Sequence, residues 1–280
     1  MKQITTVVDL LSFIELVKRK NKTIGFVPTM GSLHEGHDSL LRKCQNENDI
    51  SIVSIYVNPS QFNCSNDFKN YPRNLDLDIK RLNKLNCDIV FSPSNYEISK
   101  IKDLEINLNL GNLDKLLEAE KRPGHFKGVT GIVSKLFKII HPNKAYFGEK
   151  DLQQLLIIKK LSYQYFKDIK IISCETVRTS NGLAKSSRNK NLNSEEKLIA
   201  GVIYKVLNEV KKNKLIWNIK KAKEFVNSSF KKISLMNLEY FEVINSEKFS
   251  FIQETYTSRD CYAVIAVNIK NTRLIDNLKL

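Results

Sequence analysis

Residues 24–42 run Ile24-Gly25-Phe26-Val27-Pro28-Thr29-Met30-Gly31-Ser32-Leu33-His34-Glu35-Gly36-His37-Asp38-Ser39-Leu40-Leu41-Arg42. An apolar, β-type run (Ile24, Gly25, Phe26, Val27) opens the stretch and breaks at Pro28. The chain then passes through Thr29 to Ser32 and enters a segment whose apolar residues are Leu33, Leu40 and Leu41. Strand, glycine-containing turn and helix in that order present backbone N–H groups and a positive helix end to an anion. His34 and His37, half of the four histidines in the chain, fall on one face of a helical turn. The stretch reads as a nucleotide phosphate site. Two plainer readings compete, a pair of surface histidines and a zinc site. For zinc, His-Glu-Gly-His is one residue short of the His-Glu-x-x-His spacing. No cysteine or third histidine is close enough along the chain to complete a set of ligands.

Working outward, 280 residues with 42% hydrophobic content, 10 Gly and 6 Pro predict a packed globular protein rather than a disordered or fibrous one. No apolar run is long enough to span a bilayer. The first 20 residues mix Asp9 and Glu15 among leucines and read as an amphipathic helix over Val8–Lys18, not a secretory signal. Five scattered cysteines (Cys44, Cys64, Cys87, Cys174, Cys261) without a C-x-x-C pair suit reduced thiols and a cytoplasmic location. The formal charge of +15 admits two explanations, nucleic-acid binding or a generally basic surface. The lysines form no dense block and are not interleaved with aromatics, which favours the second. Such a surface still attracts small anions.

Along the chain, a helix to about Glu47 is followed by the buried-strand pattern Ile50–Val57, which ends in Asn58-Pro59-Ser60-Gln61-Phe62. Polar side chains just past the carboxyl end of a strand are where open α/β sheets bind ligands. Helix Leu75–Leu85, strand Asp88–Phe91, helix Leu113–Glu120, the turn cluster Arg122–Gly128 and helix Val129–Ile140 come next. Strand Ala145–Phe147, helix Leu152–Tyr163 and strand Ile169–Ser173 complete a β-then-α alternation. The pattern predicts an α/β, Rossmann-like, doubly wound parallel sheet over residues 1–175. From Thr176 the character changes. A hairpin with Asn181-Gly182 at its turn leads to a long helix from an N-cap at Ser194 to about Lys212 and another over Ile219–Lys231. Strands Leu238–Val243, Tyr262–Ile269 and Thr272–Ile275 predict a smaller C-terminal α+β domain, residues 176–280.

Six segments occur in order between residues 24 and 191: P-T-M-G-S-L-H-E-G-H, V-N-P-S-Q-F, Y-P-R, R-P-G-H-F-K-G-V, Y-F-G-E-K-D-L-Q-Q and S-S-R-N. Together they resemble the motifs of the pantothenate synthetase (pantoate–β-alanine ligase) family, within the His-x-Gly-His nucleotidyltransferases. The resemblance implies that pantoate is adenylated by ATP and that β-alanine then displaces AMP to give pantothenate, and the ATP chemistry in turn implies Mg2+. It implies a homodimer, a C-terminal domain acting as a lid, and no nucleic-acid or membrane partner. It assigns ATP contacts to Met30, Gly31, Ser32, Leu33, His34, Glu35, Gly36 and His37 in the first motif. Gly148, Glu149, Lys150 and Asp151, and later Val177, Lys185, Ser186, Ser187 and Arg188, are assigned to the same nucleotide. His37, His34 and Lys150 are the implied catalytic groups. Gln61 is matched to pantoate and β-alanine, Gln154 to pantoate, and Asn58 to substrate, with no protein metal site. Lys185 departs from the family's usual methionine before S-S-R, and Asn74 stands where threonine is common, still able to cap a helix. The alternatives are another His-x-Gly-His nucleotidyltransferase, which would not need Gln61 and Gln154 together, and an RNA-binding module, motivated by the +15 charge.

Overall fold

Parallel pairing of short, β-branched strands builds the N-terminal part of the molecule. The computed structural model describes residues 1–63, 65–256 and 260–280, with only the backbone of 65–67. Strands β1 (Lys2–Ile4), β2 (Ile24–Thr29), β3 (Ile50–Ile55), β4 (Ile89–Phe91), β5 (Lys144–Gly148) and β6 (Lys170–Cys174) form one sheet in the order β1-β4-β3-β2-β5-β6. Every neighbouring pair in it is parallel. The connections carry α1 (Val7–Arg19), α2 (Glu35–Glu47), α3 (Ser65–Asn70), α4 (Leu75–Lys84), α5 (Asn95–Ser99), α6 (Glu118–Lys121), α7 (His125–Ile140) and α8 (Leu152–Tyr165). On one face of the sheet, Leu33, Leu40, Leu41 and Cys44 pack with Val27, Val53 and Tyr146. Phe26 of β2 meets Phe137 of α7 edge to face at 6.3 Å. Each such buried apolar side chain contributes roughly 1.5–3 kcal/mol. The direction of strand order reverses between β2 and β5, the switch point at which open α/β sheets place ligands beyond their carboxyl ends.

The chain divides into two compact units, Met1–Glu149 with Gln153–Glu175, and Thr176–Leu280 with Lys150–Leu152. In the second unit, α9 (Ser194–Ala200), α10 (Val202–Asn213) and α11 (Ile219–Lys231) accompany an antiparallel sheet of order β10-β9-β7-β8. Its strands are β7 (Met236–Asn245), β8 (Ser250–Phe251), β9 (Cys261–Ile269) and β10 (Thr272–Lys279). Ile203, Leu207 and Val210 of α10 and Val226 and Phe230 of α11 share a core with Val243, Ile265 and Val267.

Several elements differ from their sequence-based expectation, each for a visible reason. The single helix over 113–120 is instead a 3-10 turn, Gly111–Asp114, and the short α6, separated by Leu117 at φ 54°. The Gln153 side chain donates to the carbonyls of Leu113 and Leu116 and accepts the N–H of Glu118, taking groups a continuous helix would use. The long helix from 194 breaks at Gly201, where the Asn181 amide takes the carbonyls of Lys197 and Leu198. A Cβ at Gly201 would lie 2.6 Å from the Asn181 carbonyl oxygen. The N-cap is Asn193 rather than Ser194, in a capping box with Glu196. Strands β1 and β8 have too few residues to show a period. Cys44, Cys87, Cys174 and Cys261 are buried thiols, and burial pushes Cys87 and Cys174 up to about 11. Cys64 lies outside the described residues. No helix among those residues is long and apolar enough to cross a membrane.

Glu47, in the last turn of α2, ties that helix to β5. Its carboxylate receives Lys43 at 3.0 Å, Lys144 at 3.2 Å and the Tyr146 hydroxyl at 3.0 Å. These hydrogen bonds, Lys43's foremost, hold its pKa down at about 2. A carboxyl depressed in the folded state stabilises above its unfolded value, about 4.3, and that stability is lost as pH falls through about 2. Glu47→Gln should therefore cost about 1 kcal/mol at neutral pH, solvent screening included, and flatten the acid limb of stability. Urea denaturation across the acid range checks this; an unchanged acid limb would contradict it.

Candidate active site

Three segments leave the same edge of the parallel sheet: Met30–His37 after β2, Asn58–Gln61 after β3, and Gly148–Glu149 at the end of β5. The first is the most constrained. Gly31 and Ser32 both have positive φ, 77° and 53°. This is a costly conformation for a non-glycine residue. It is held by Asp78 of α4, 4% exposed, whose two oxygens accept the N–H groups of Ser32 at 2.7 Å and Leu33 at 2.8 Å. One turn further along α4, Arg81 makes two 2.6 Å bonds to Asp38 in the first turn of α2. α4 itself begins at Asn74, whose side chain caps Leu77 N–H.

The two histidines form a capping box at the start of α2. His34 is the N-cap and accepts Gly36 N–H on Nδ1 at 3.1 Å; His37 accepts His34 N–H on its own Nδ1 at 3.3 Å. Their ring centroids are 4.1 Å apart. An Nδ1 that accepts carries no proton, so each neutral ring holds its proton on Nε2. This revises the backbone cradle expected from the sequence. The N–H groups of Gly31, Ser32, Leu33, His34 and Gly36 are committed to side chains within the protein. At this helix end, where the helix dipole is positive, the two imidazoles carry their protons on Nε2.

After β3, Asn58 caps a 3-10 turn, Pro59–Gln61. Its Oδ1 accepts from Ser60 N–H and hydroxyl, and its Nδ2 donates to the Gly128 carbonyl at 3.0 Å, using one of its two amide protons among the described residues. Gln61 is 7% exposed. Its carbonyl is held by His125 Nδ1–H at 2.7 Å, while His125 Nε2 lies 3.1 Å from Arg122 Nη1, which can only donate. Gly128 is obligatory because a Cβ there would collide with the Ser60 carbonyl. Arg122, His125 and Gly128 therefore position Gln61, a role that spacing in the sequence did not reveal. Of the paired glutamines on α8, Gln153 is absorbed by the 113–118 segment, whereas the half-buried Gln154 has no hydrogen-bond partner for its side chain among the described residues.

The remaining predicted residues belong to the second unit. Lys150 is mostly shielded, with its ammonium 3.6 Å from Asp151. Val177 pairs through its carbonyl with Lys185 N–H at 2.9 Å, closing the hairpin. Ser186 caps the 3-10 turn Ser187–Asn191, accepting Arg188 N–H at 3.3 Å, and Ser187 is 7% exposed. Lys185, Ser187 and Arg188 are thus consecutive with a fixed turn that can present cations and a hydroxyl to phosphate.

An amide in place of Asp78 would aim its NH2 at a backbone N–H. Asp78→Asn should lower stability by about 2 kcal/mol in urea denaturation and loosen anion binding at the start of α2. Wild-type stability would contradict the anchoring role.

The family described as Pantoate-beta-alanine ligase matches residues 2–279. A pantothenate synthetase of Azobacteroides pseudotrichonymphae is 44% identical over 279 residues, 99% of each chain. One from Flavobacterium psychrophilum is 40% identical over 276 residues, 97% of each. Among solved structures, the pantothenate synthetase of Thermus thermophilus superposes with a TM-score of 0.89 at 31% identity, covering 100% of this chain and 99% of that one. A pantoate-beta-alanine ligase of Francisella tularensis, solved with Beta-gamma ATP and Beta-alanine, gives 0.81 at 37% identity, with 100% and 97% covered. Match and fold run the length of the chain, and the chain belongs to the pantoate-beta-alanine ligase family.

Proposed function

We propose that this protein condenses pantoate with β-alanine at the expense of ATP. A pantoate carboxylate oxygen bonds to the α-phosphorus as the bond to the bridging oxygen breaks, and pyrophosphate leaves. The β-alanine nitrogen then bonds to the acyl carbon of pantoyl adenylate; the acyl C–O bond breaks, AMP leaves with that oxygen, and the ammonium proton passes to solvent. The observation that carries the reading is the His34–His37 capping box after β2 together with Gln61 after the neighbouring β3, its backbone carbonyl held by His125. In-line attack on phosphorus needs positioning and charge neutralisation above all.

His37 and His34 supply Nε2–H donors to phosphate oxygens that gain charge in the transition state. Gln61, with a donor and an acceptor end, orients the hydroxyls and carboxylate of pantoate and faces β-alanine in the second step; Gln154 does the same for pantoate. Asn58 contributes its remaining amide proton. Met30, Gly31, Ser32, Leu33, Glu35 and Gly36 form the nucleotide wall with Gly148 and Glu149. Lys150, Asp151, Val177, Lys185, Ser186, Ser187 and Arg188 supply the contacts of the C-terminal unit, which serves as the lid. No three His, Cys, Asp or Glu residues gather into a metal cage among the described residues. Magnesium fits as the ion carried by the triphosphate, where it would neutralise phosphate charge, since such sites take most of their ligands from substrate and water. The +15 charge serves the approach of anionic substrates. A cytoplasmic homodimer without nucleic-acid or membrane partners completes the proposal.

The test supplies ATP, magnesium, pantoate and β-alanine and follows AMP and pantothenate. Release of AMP that needs no pantoate would overturn the assignment. His37→Asn keeps an acceptor for the His34 N–H but has nothing at the Nε2 position. It should leave thermal stability near wild type while slowing adenylate formation by about 10²–10³-fold in single-turnover kinetics. Near-wild-type rates would remove His37 from the reaction.

A further inference from the structure

We propose that Asn277 is a positioning residue for Lys150, tying it into the same rigid body as the hairpin that leads to Ser186–Arg188; this rests on the function proposed above. Asn277 and Asp276 are adjacent on β10, so their side chains point to opposite faces of the strand. Both are buried, 7% and 4% exposed. Asn277 Nδ2 donates to the Lys150 carbonyl at 2.9 Å. Asp276 receives both arms of Arg178, at 2.5 and 2.9 Å, and Arg178 also donates to the carbonyls of Gly182 and Asn277. The guanidinium stacks 4.1 Å from the Tyr204 ring. One strand thus holds the backbone of Lys150 from one side and the root of the hairpin from the other.

Two observations raise this above ordinary packing. Residues Lys150–Leu152 are flanked in the chain by first-unit residues on both sides, yet they group with the second unit. The tether also falls on the backbone of the residue whose ammonium is needed, so it fixes where that side chain starts without consuming its charge. An error of about 1 Å in such a group costs on the order of 10²-fold in rate.

Two half-reactions separate this role from a structural one: pantoate-dependent pyrophosphate release, and discharge of pre-formed pantoyl adenylate by β-alanine. They are measured on the full-length wild type, Asn277→Ala, Asn277→Ser, Lys150→Ala and the double variants. Each Asn277 variant should lose about ten-fold in the first half-reaction, keep the second within about two-fold, and lose almost nothing more once Lys150 is alanine. No loss, a loss shared by both half-reactions, or an equal loss in both backgrounds overturns the proposal. Should neither Asn277 variant fold, hydrogen exchange of the wild type decides. Lys150–Leu152 and Val177–Lys185 should open together, and independent opening of Lys150–Leu152 overturns the proposal. A wild type without pantoate-dependent pyrophosphate release fails differently: it overturns the functional reading, and this one with it.

Discussion

The grip of Asp78 on the N–H groups of Ser32 and Leu33 is the constraint from which the site follows. Two successive residues with positive φ, one of them serine, would not persist alone, since left-handed backbone at a non-glycine residue costs roughly 1–3 kcal/mol. Two charge-assisted hydrogen bonds from a buried carboxylate offset that cost. With the turn held, the chain enters α2 at His34, and the reciprocal cap between His34 and His37 closes. Both imidazoles then use Nδ1 for the backbone, and their chemistry is left to Nε2. Arg81, gripping Asp38 from the same helix, fixes the angle at which α2 leaves the turn. A helix absent from the catalytic motifs therefore sets the geometry of the most distinctive one.

The N-terminal fold was legible because its strands are apolar runs and its helices carry clean stripes, as with Val7, Leu10, Ile14 and Val17 on α1. The motifs were legible because they are contiguous. What escaped the sequence depends on pairs far apart in the chain. Asp78 lies 46 residues from Ser32, and His125 lies 64 from the Gln61 carbonyl it holds. Neither pairing has a period. The two glutamines of α8 look equivalent on paper, and only tertiary contacts reveal that Gln153 is consumed by loop carbonyls. The broken helix at Gly201 has the same origin, a side chain elsewhere competing for helical carbonyls. Helix periodicity continues through that position and gives no sign of the break.

The site residues also divide by how they are held. His34, His37, Asn58 and Gln61 sit on turns pinned by side chains from elsewhere in the chain, Asp78 at the first and His125 at the second, which is what preorganised donors require. Lys150 and the Lys185–Arg188 segment are instead carried by the smaller unit, on short 3-10 turns and a hairpin anchored to β10. Lys185, in place of the family's usual methionine, adds a charge to a segment that already carries Arg188. The turn between them is capped by Ser186, and the Asn189 amide donates to the Ala184 carbonyl.

Control of the proton positions on His34, His37 and His125 by the fold is tested most directly by long-range 1H–15N correlation spectra of the assigned imidazoles at a pH where the rings are neutral. His34 and His37 should both show a protonated Nε2 and a bare Nδ1, while His125, which donates to the Gln61 carbonyl, shows the opposite tautomer. A proton on Nδ1 of either His34 or His37 would contradict the capping box and the donor role built on it.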